Sequence, residues 1–232
     1  MLIDIGGRHL AAEFAGEGAP VVVLDAFGGA GLDVWQPIWQ QLTQITGVCC
    51  YDRAGTGQSD PSTLPMTGLQ LVADLRALLI KTATPLPVIL VGASFGGAIM
   101  QLYARTYPED VCGLVLLDSM HCDQVARFYA YSQTWGDELV AEIAEHLAGI
   151  EWTTTAQQLR DALPLAPIPL AVVSRGKSTP VAAVWSELQK ELASQVPTGQ
   201  QIIAEQSGHG IHFDQPELVI DVIREMVIKG EL

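Results

Sequence analysis

Positive charge is scarce in this 232-residue chain: 12 lysines and arginines stand against 26 acidic residues, a formal balance of −14. Such a surface repels phosphate backbones and anionic lipid headgroups, so neither nucleic acid nor a membrane is an expected partner. Long hydrophobic runs are also missing. Stretches such as VVVL and LVLL fall far short of the ~20 residues that cross a bilayer, and MLIDIGGRHL lacks the basic and apolar regions of an export signal. A soluble, cytoplasmic protein is expected. The four cysteines include the adjacent Cys49 and Cys50, and no CxxC spacing occurs, which points to reduced thiols rather than a disulfide framework.

What is present is core-forming material, 49% hydrophobic residues against 16% charged, arranged as one domain over residues 1–232. Short apolar runs (PVVVLDA, GVCCYDR, PVILVGA, GLVLLDS, PLAVVSR and QQIIAEQ) alternate with helix-period segments (WQPIWQQLTQ, GLQLVADLRALLIKT, FGGAIMQLYARTY, VWSELQKELASQ and PELVIDVIREMVIK). The runs are continuous rather than alternating, as in strands buried on both faces. The spacing therefore predicts an α/β fold, a mostly parallel sheet flanked by helices. Residues 1–14 read as a preceding antiparallel hairpin turning at Gly6-Gly7. The rhythm breaks from about residue 123, and a small helical cap insertion is expected over residues 119–167.

VILVGASFGGA places Gly92, Ser94 and Gly96 in a G-x-S-x-G pattern between an apolar strand and a helix, the context in which a serine is exposed on a sharp turn. Crowding at that turn demands small neighbours, and Gly92, Ala93, Gly96, Gly97 and Ala98 supply them.

With GASFGG, the stretches YDRAGTGQSD, YPEDVCGLVLLD and SGHGIHFDQPELV occur in order along nearly the whole chain, and on these the sequence resembles the α/β-hydrolase superfamily. The resemblance implies an eight-stranded sheet, Ser94 as nucleophile and His209, in the loop after the last strand, as its general base. His212 is the competitor, expected instead to pack at the start of the final helix. His9 and His146 are expected at the surface.

The triad acid of most relatives follows the seventh strand. Here that position, about Ser178 in SRGKSTP, holds no carboxylate, and none occurs between Asp161 and Glu187. Some members take the acid from the end of the sixth strand. Asp118, closing GLVLLD, occupies that place and is the expected triad acid. His121, Cys122 and Asp123 follow it closely, but their spacing matches no common zinc arrangement, so no metal and no cofactor are expected. His121 and Asp123 are expected to line the pocket entrance or to cap the first helix of the insertion.

The resemblance assigns the oxyanion-hole amides to Phe27 and Phe95. The loop before Phe27 reads Asp25-Ala26 where relatives carry His-Gly, and a carboxylate there opposes a developing oxyanion unless it is paired or turned away. Arg53 is one partner for it; the other assignment keeps Asp52 and Arg53 within their own loop. Phe128, Tyr129, Tyr131 and Trp135 suggest an apolar pocket under the insertion. The expected function is a serine hydrolase of a small carboxylic ester or lactone. The alternatives are a non-catalytic binding protein on the same scaffold, and a perhydrolase, amidase or carbon–carbon bond hydrolase.

Overall fold

The computed structural model describes residues 1–62, 66–147, 149–176 and 182–230. The alternation predicted by the sequence is realised as an eight-stranded sheet. Strands β1 (Leu2–Asp4) and β2 (His9–Ala15) form the N-terminal hairpin, with Leu2 opposite Ala11, and Gly6 and Gly7 take φ values of 93° and 103° at its turn. Next come β3 (Val22–Asp25), β4 (Val48–Tyr51), β5 (Val88–Ala93), β6 (Val111–Leu117), β7 (Leu170–Arg175) and β8 (Gln200–Ala204). The strand order is β1-β2-β4-β3-β5-β6-β7-β8; β2 runs antiparallel to both neighbours, and the remaining pairs are parallel.

The continuous apolar runs serve two cores. In β5, Leu90 packs on one side with Leu75, Leu78, Phe95 and Ile99, while Val91 packs on the other with Ile38, Leu42, Val219 and Ile223. The first core is covered by α2 (Gly68–Lys81) and α3 (Phe95–Thr106), the second by α1 (Gln36–Leu42) and α9 (Pro216–Gly230). Side chains of a strand alternate between faces, so a parallel strand with helices on both sides is apolar at every position. Each fully buried aliphatic side chain stabilises the fold by about 1.5–3 kcal/mol.

Three helices, α4 (Gln124–Tyr131), α5 (Gln133–His146) and α6 (Trp152–Asp161), separate β6 from β7. They are tied to the rest of the chain by specific contacts. Thr155 Oγ1 and Gln158 Oε1 of α6 accept the Gly68 and Leu69 amides at 2.9 Å each, two of the orphan donors of the α2 N-terminus. On the opposite side, Phe128 and Leu139 pack with Val184, Trp185 and Leu188 of α7 (Ala182–Ala193). A short helix, α8 (Ile211–Asp214), precedes α9. No helix among the described residues is long and apolar enough to cross a membrane.

Candidate active site

Ser94 sits between β5 and α3 with φ 51° and ψ −114°. A side-chain-bearing residue held there costs about 1–3 kcal/mol and persists only where its surroundings over-determine it. Its own amide donates to Leu117 O at 2.9 Å and its carbonyl accepts from Met120 N at 2.9 Å, pinning the turn to the end of β6. Close packing requires the flanking glycines. A Cβ on Gly92 would lie 2.5 Å from Gly96 C, and one on Gly96 would lie 2.3 Å from Asp25 O.

Asp118 follows β6 in the left-handed region, φ 45°, and is fully buried. Its Oδ2 lies 2.7 Å from His209 Nδ1 and accepts Arg175 Nε at 2.6 Å, while Oδ1 accepts Trp185 Nε1 at 2.7 Å and the Arg175 amide at 3.1 Å. A buried carboxylate without such donors would be strongly destabilising. Burial pushes the Asp118 carboxyl up, but the hydrogen bond with His209 and the charge of Arg175 outweigh it and hold its pKa below the usual carboxylate range. Asp118 is therefore ionised at neutral pH.

A carboxylate at Nδ1 favours the tautomer with Nδ1–H donated and Nε2 carrying the lone pair. Ser94, His209, Phe27 and Phe95 line one cavity of about 340 Å³, together with Met120, Phe128, Leu139, Ile143, Leu147 and Trp185. Most of this wall is apolar. As the first residue of α3, Phe95 has an amide with no partner inside the helix.

Asp25 proves to be paired. It is buried at the end of β3 against the Arg53 guanidinium, which also donates to Ala26 O at 2.8 Å and to Gly28 O, and lies 5.3 Å from the Phe95 ring centroid. Burial raises the Asp25 carboxyl above its ordinary value and Arg53 opposes that shift. Asp52, by contrast, serves the loops, accepting Leu32 N at 2.7 Å and Gln58 N at 2.8 Å. Arg53 thus grips the carbonyls on both sides of Phe27. Because the peptide plane sets C=O and N–H in opposite directions, fixing Ala26 O also fixes the direction of the Phe27 N–H.

Several expectations require correction. His212 lies in α8 rather than at the start of α9, buried against Trp35, Phe27 and Phe213 with ring-centroid distances of 4.8, 6.0 and 4.2 Å. His146, expected at the surface, is exposed but also lines the cavity, its carbonyl 3.3 Å from where a Gly28 Cβ would stand. His9 lies at the surface as expected, paired with Asp60 at 2.9 Å. Of the four aromatics expected in the pocket only Phe128 reaches it; Tyr129 Oη donates to Asp137 at 2.9 Å, and Tyr131 stacks on Trp135 at 5.0 Å. Asp123 stands at the N-cap of α4, but its carboxylate binds Arg160 at 2.7 Å and caps nothing. The ligand atoms of His121, Cys122 and Asp123 lie within 4.8 Å of one another, yet His121 Nδ1 is taken by the Asp123 amide and Asp123 by Arg160. The position of the usual acid, about Ser178, lies outside the described residues.

Sequence reasoning missed Arg175 and Trp185. Nothing local marks them, since both meet Asp118 only through strand order and the docking of α7.

Both ring nitrogens of His212 lack partners among the described residues, and burial, with a smaller contribution from His209, pushes its pKa down from 6.5 to about 4. The unfolded chain takes up that proton first, so the stability contribution is complete above the unfolded value and is lost as pH falls toward the folded one. His212→Phe should remove on the order of 2 kcal/mol of the loss between about pH 7 and about pH 4.5, read by urea unfolding at both. Equal losses in variant and wild type would refute it.

The chain is 29% identical over 208 residues to the uncharacterized protein YqjL of Bacillus subtilis (strain 168), covering 88% of this chain and 82% of that one. Among solved structures it is similar to a thermophilic esterase from Thermogutta terrifontis, with TM-score 0.74, 21% identity and coverage of 100% and 99% of the two chains. It is likewise similar to the enol-lactonase from Burkholderia xenovorans LB400, with TM-score 0.71, 18% identity and coverage of 98% and 100%. The family model for the alpha/beta hydrolase fold matches residues 19–165, well over half of the sequence and including both the Ser94 turn and the strand that Asp118 follows, so the chain belongs to the α/β-hydrolase family.

Proposed function

We propose that the protein is a serine hydrolase that cleaves a small carboxylic ester or lactone through an acyl-enzyme on Ser94. The observation that carries this reading is the 2.7 Å contact between Asp118 Oδ2 and His209 Nδ1, beside a strained Ser94 on the same apolar cavity. A free serine hydroxyl is too weak a nucleophile at neutral pH, and a base held in one tautomer by a buried carboxylate supplies what it lacks. The esterase and enol-lactonase among similar structures support the same class of bond.

In this reading His209 Nε2 removes the Ser94 proton as Oγ attacks the carbonyl carbon. The amides of Phe27 and Phe95 hold the resulting oxyanion, each such donor being worth about 10²–10³ in rate. The imidazolium then protonates the leaving alcohol, and water, deprotonated by the same His209, releases the acid. Helices α4 to α6 act as a small cap, and the cavity of about 340 Å³ suits a compact acyl or ring group. Pairing of Asp25 with Arg53 removes the main motive for a non-catalytic scaffold.

A fluorophosphonate probe should label Ser94 in the folded protein, shown by mass spectrometry of the modified peptide and by loss of labelling in Ser94→Ala. An unlabelled, folded wild type would defeat the proposal. Screening aryl esters against lactones then narrows the substrate.

A further inference from the structure

We propose that Arg175 is a positioning residue: it holds the carboxylate of Asp118 and, by sharing that charge with His209, sets the acid limit of activity. This inference rests on the triad reading above. Parallel pairing of β6 with β7, Leu117 opposite Val173, brings the two strand ends side by side, so Asp118 and Arg175 emerge as neighbours. The clamp is rigid. Arg175 binds Asp118 through both its amide and Nε, and its guanidinium lies 4.8 Å from the ring centroid of Trp185, itself a donor to Asp118.

The same guanidinium places its second terminal nitrogen 3.0 Å from His209 Nδ1. In the base-competent tautomer Nδ1 carries its proton toward Asp118, so its contact with Arg175 is one of charge and not a hydrogen bond. Protonation of Nε2 then places a second full positive charge beside the guanidinium, and the carboxylate that would stabilise it is already shared. Arg175 thus disfavours the protonated ring while keeping Asp118 ionised and fixed.

Among the described residues, the cavity that His209 lines also holds Ser94 at the elbow and Glu142 and His146 of α5, and His212 on α8 interacts with His209 electrostatically. Asp214 of α8 binds the Gly208 amide at 2.8 Å and steadies the loop. All remain when Arg175 is changed, so a difference between wild type and variant reports Arg175 itself.

The test is the pH dependence of kcat/KM for phenyl acetate in wild type, Arg175→Gln and Arg175→Lys, with far-UV circular dichroism on each. Arg175→Gln retains a neutral donor and should move the acid limb upward by about one unit, with about tenfold less kcat/KM well below the limb. Arg175→Lys keeps the charge and should leave the limb near its wild-type position. A limb unmoved in a folded Gln variant, or moved as far in the Lys variant, overturns the proposal. If the Gln variant does not fold, Arg175→Met takes its place under the same two criteria. If Ser94 takes no probe and phenyl acetate is not cleaved, it is the hydrolase reading that fails. The Arg175 proposal is then judged by NMR titration of His209, assigned by its loss in His209→Asn, where the same upward movement is expected in Arg175→Gln and its absence refutes it.

Discussion

Asp118→Asn is expected to lower kcat for short-chain ester hydrolysis by about 10³–10⁴-fold with little change in KM. An asparagine keeps the size of the side chain but offers an amide where His209 Nδ1 now meets Oδ2, which favours the imidazole tautomer whose Nε2 bears hydrogen and cannot accept the serine proton. It also turns the Arg175 guanidinium and the Trp185 indole, both donors to Asp118, toward a group with one acceptor oxygen instead of two. Steady-state kinetics above the acid limb, with thermal unfolding to confirm that the variant is folded, measure the effect. Loss of less than about threefold, while Ser94→Ala abolishes turnover, would remove Asp118 from the triad. The acid would then have to be sought elsewhere.

Arg53→Met should be the most destabilising single change at the site. Its side chain is 1% exposed against 0% for Asp25, and removing one member of a buried ion pair leaves the other uncompensated, at about 3–5 kcal/mol. For a chain of this length that lowers Tm by about 10 °C. The double variant Asp25→Asn/Arg53→Met should recover part of the loss, because no charge is then stranded. Since Arg53 also holds Ala26 O and Gly28 O, freeing the loop should reduce kcat at least about tenfold at temperatures where the variant remains folded. Unfolding by heat and by denaturant, set beside kcat, separates the two effects. A stability change below about 1 kcal/mol would show that the pair is not what restrains the loop.

Much of the architecture was legible without coordinates, and the reason is periodicity. Runs such as PVILVGA and GLVLLDS are apolar at every position because both faces of the central strands are covered, and α2, α3 and α9 carry the three-to-four spacing of one-sided helices. Ser94 was legible because its motif needs small residues in a fixed local order, and backbone crowding is a short-range demand. The helical segment between β6 and β7 was legible only as helices. Its aromatics recur at helical spacing, but that spacing leaves open which face meets the cavity, so Phe128 lines it while Tyr131 and the half-buried Trp135 stack on each other away from it.

The sequence by itself determined the alternation of strands and helices, the turn that presents Ser94, and the candidacy of Asp118 and His209. Tertiary structure alone decided who partners the buried charges. Arg53 reaches back 28 residues to Asp25 and Arg175 reaches back 57 to Asp118. Either arginine, read in its own stretch, is simply a cation after a strand. Burial of apolar surface is non-directional and leaves its mark on every few residues of the chain, whereas an ion pair depends on the direction of two side chains at strand ends made adjacent only by the order of the sheet.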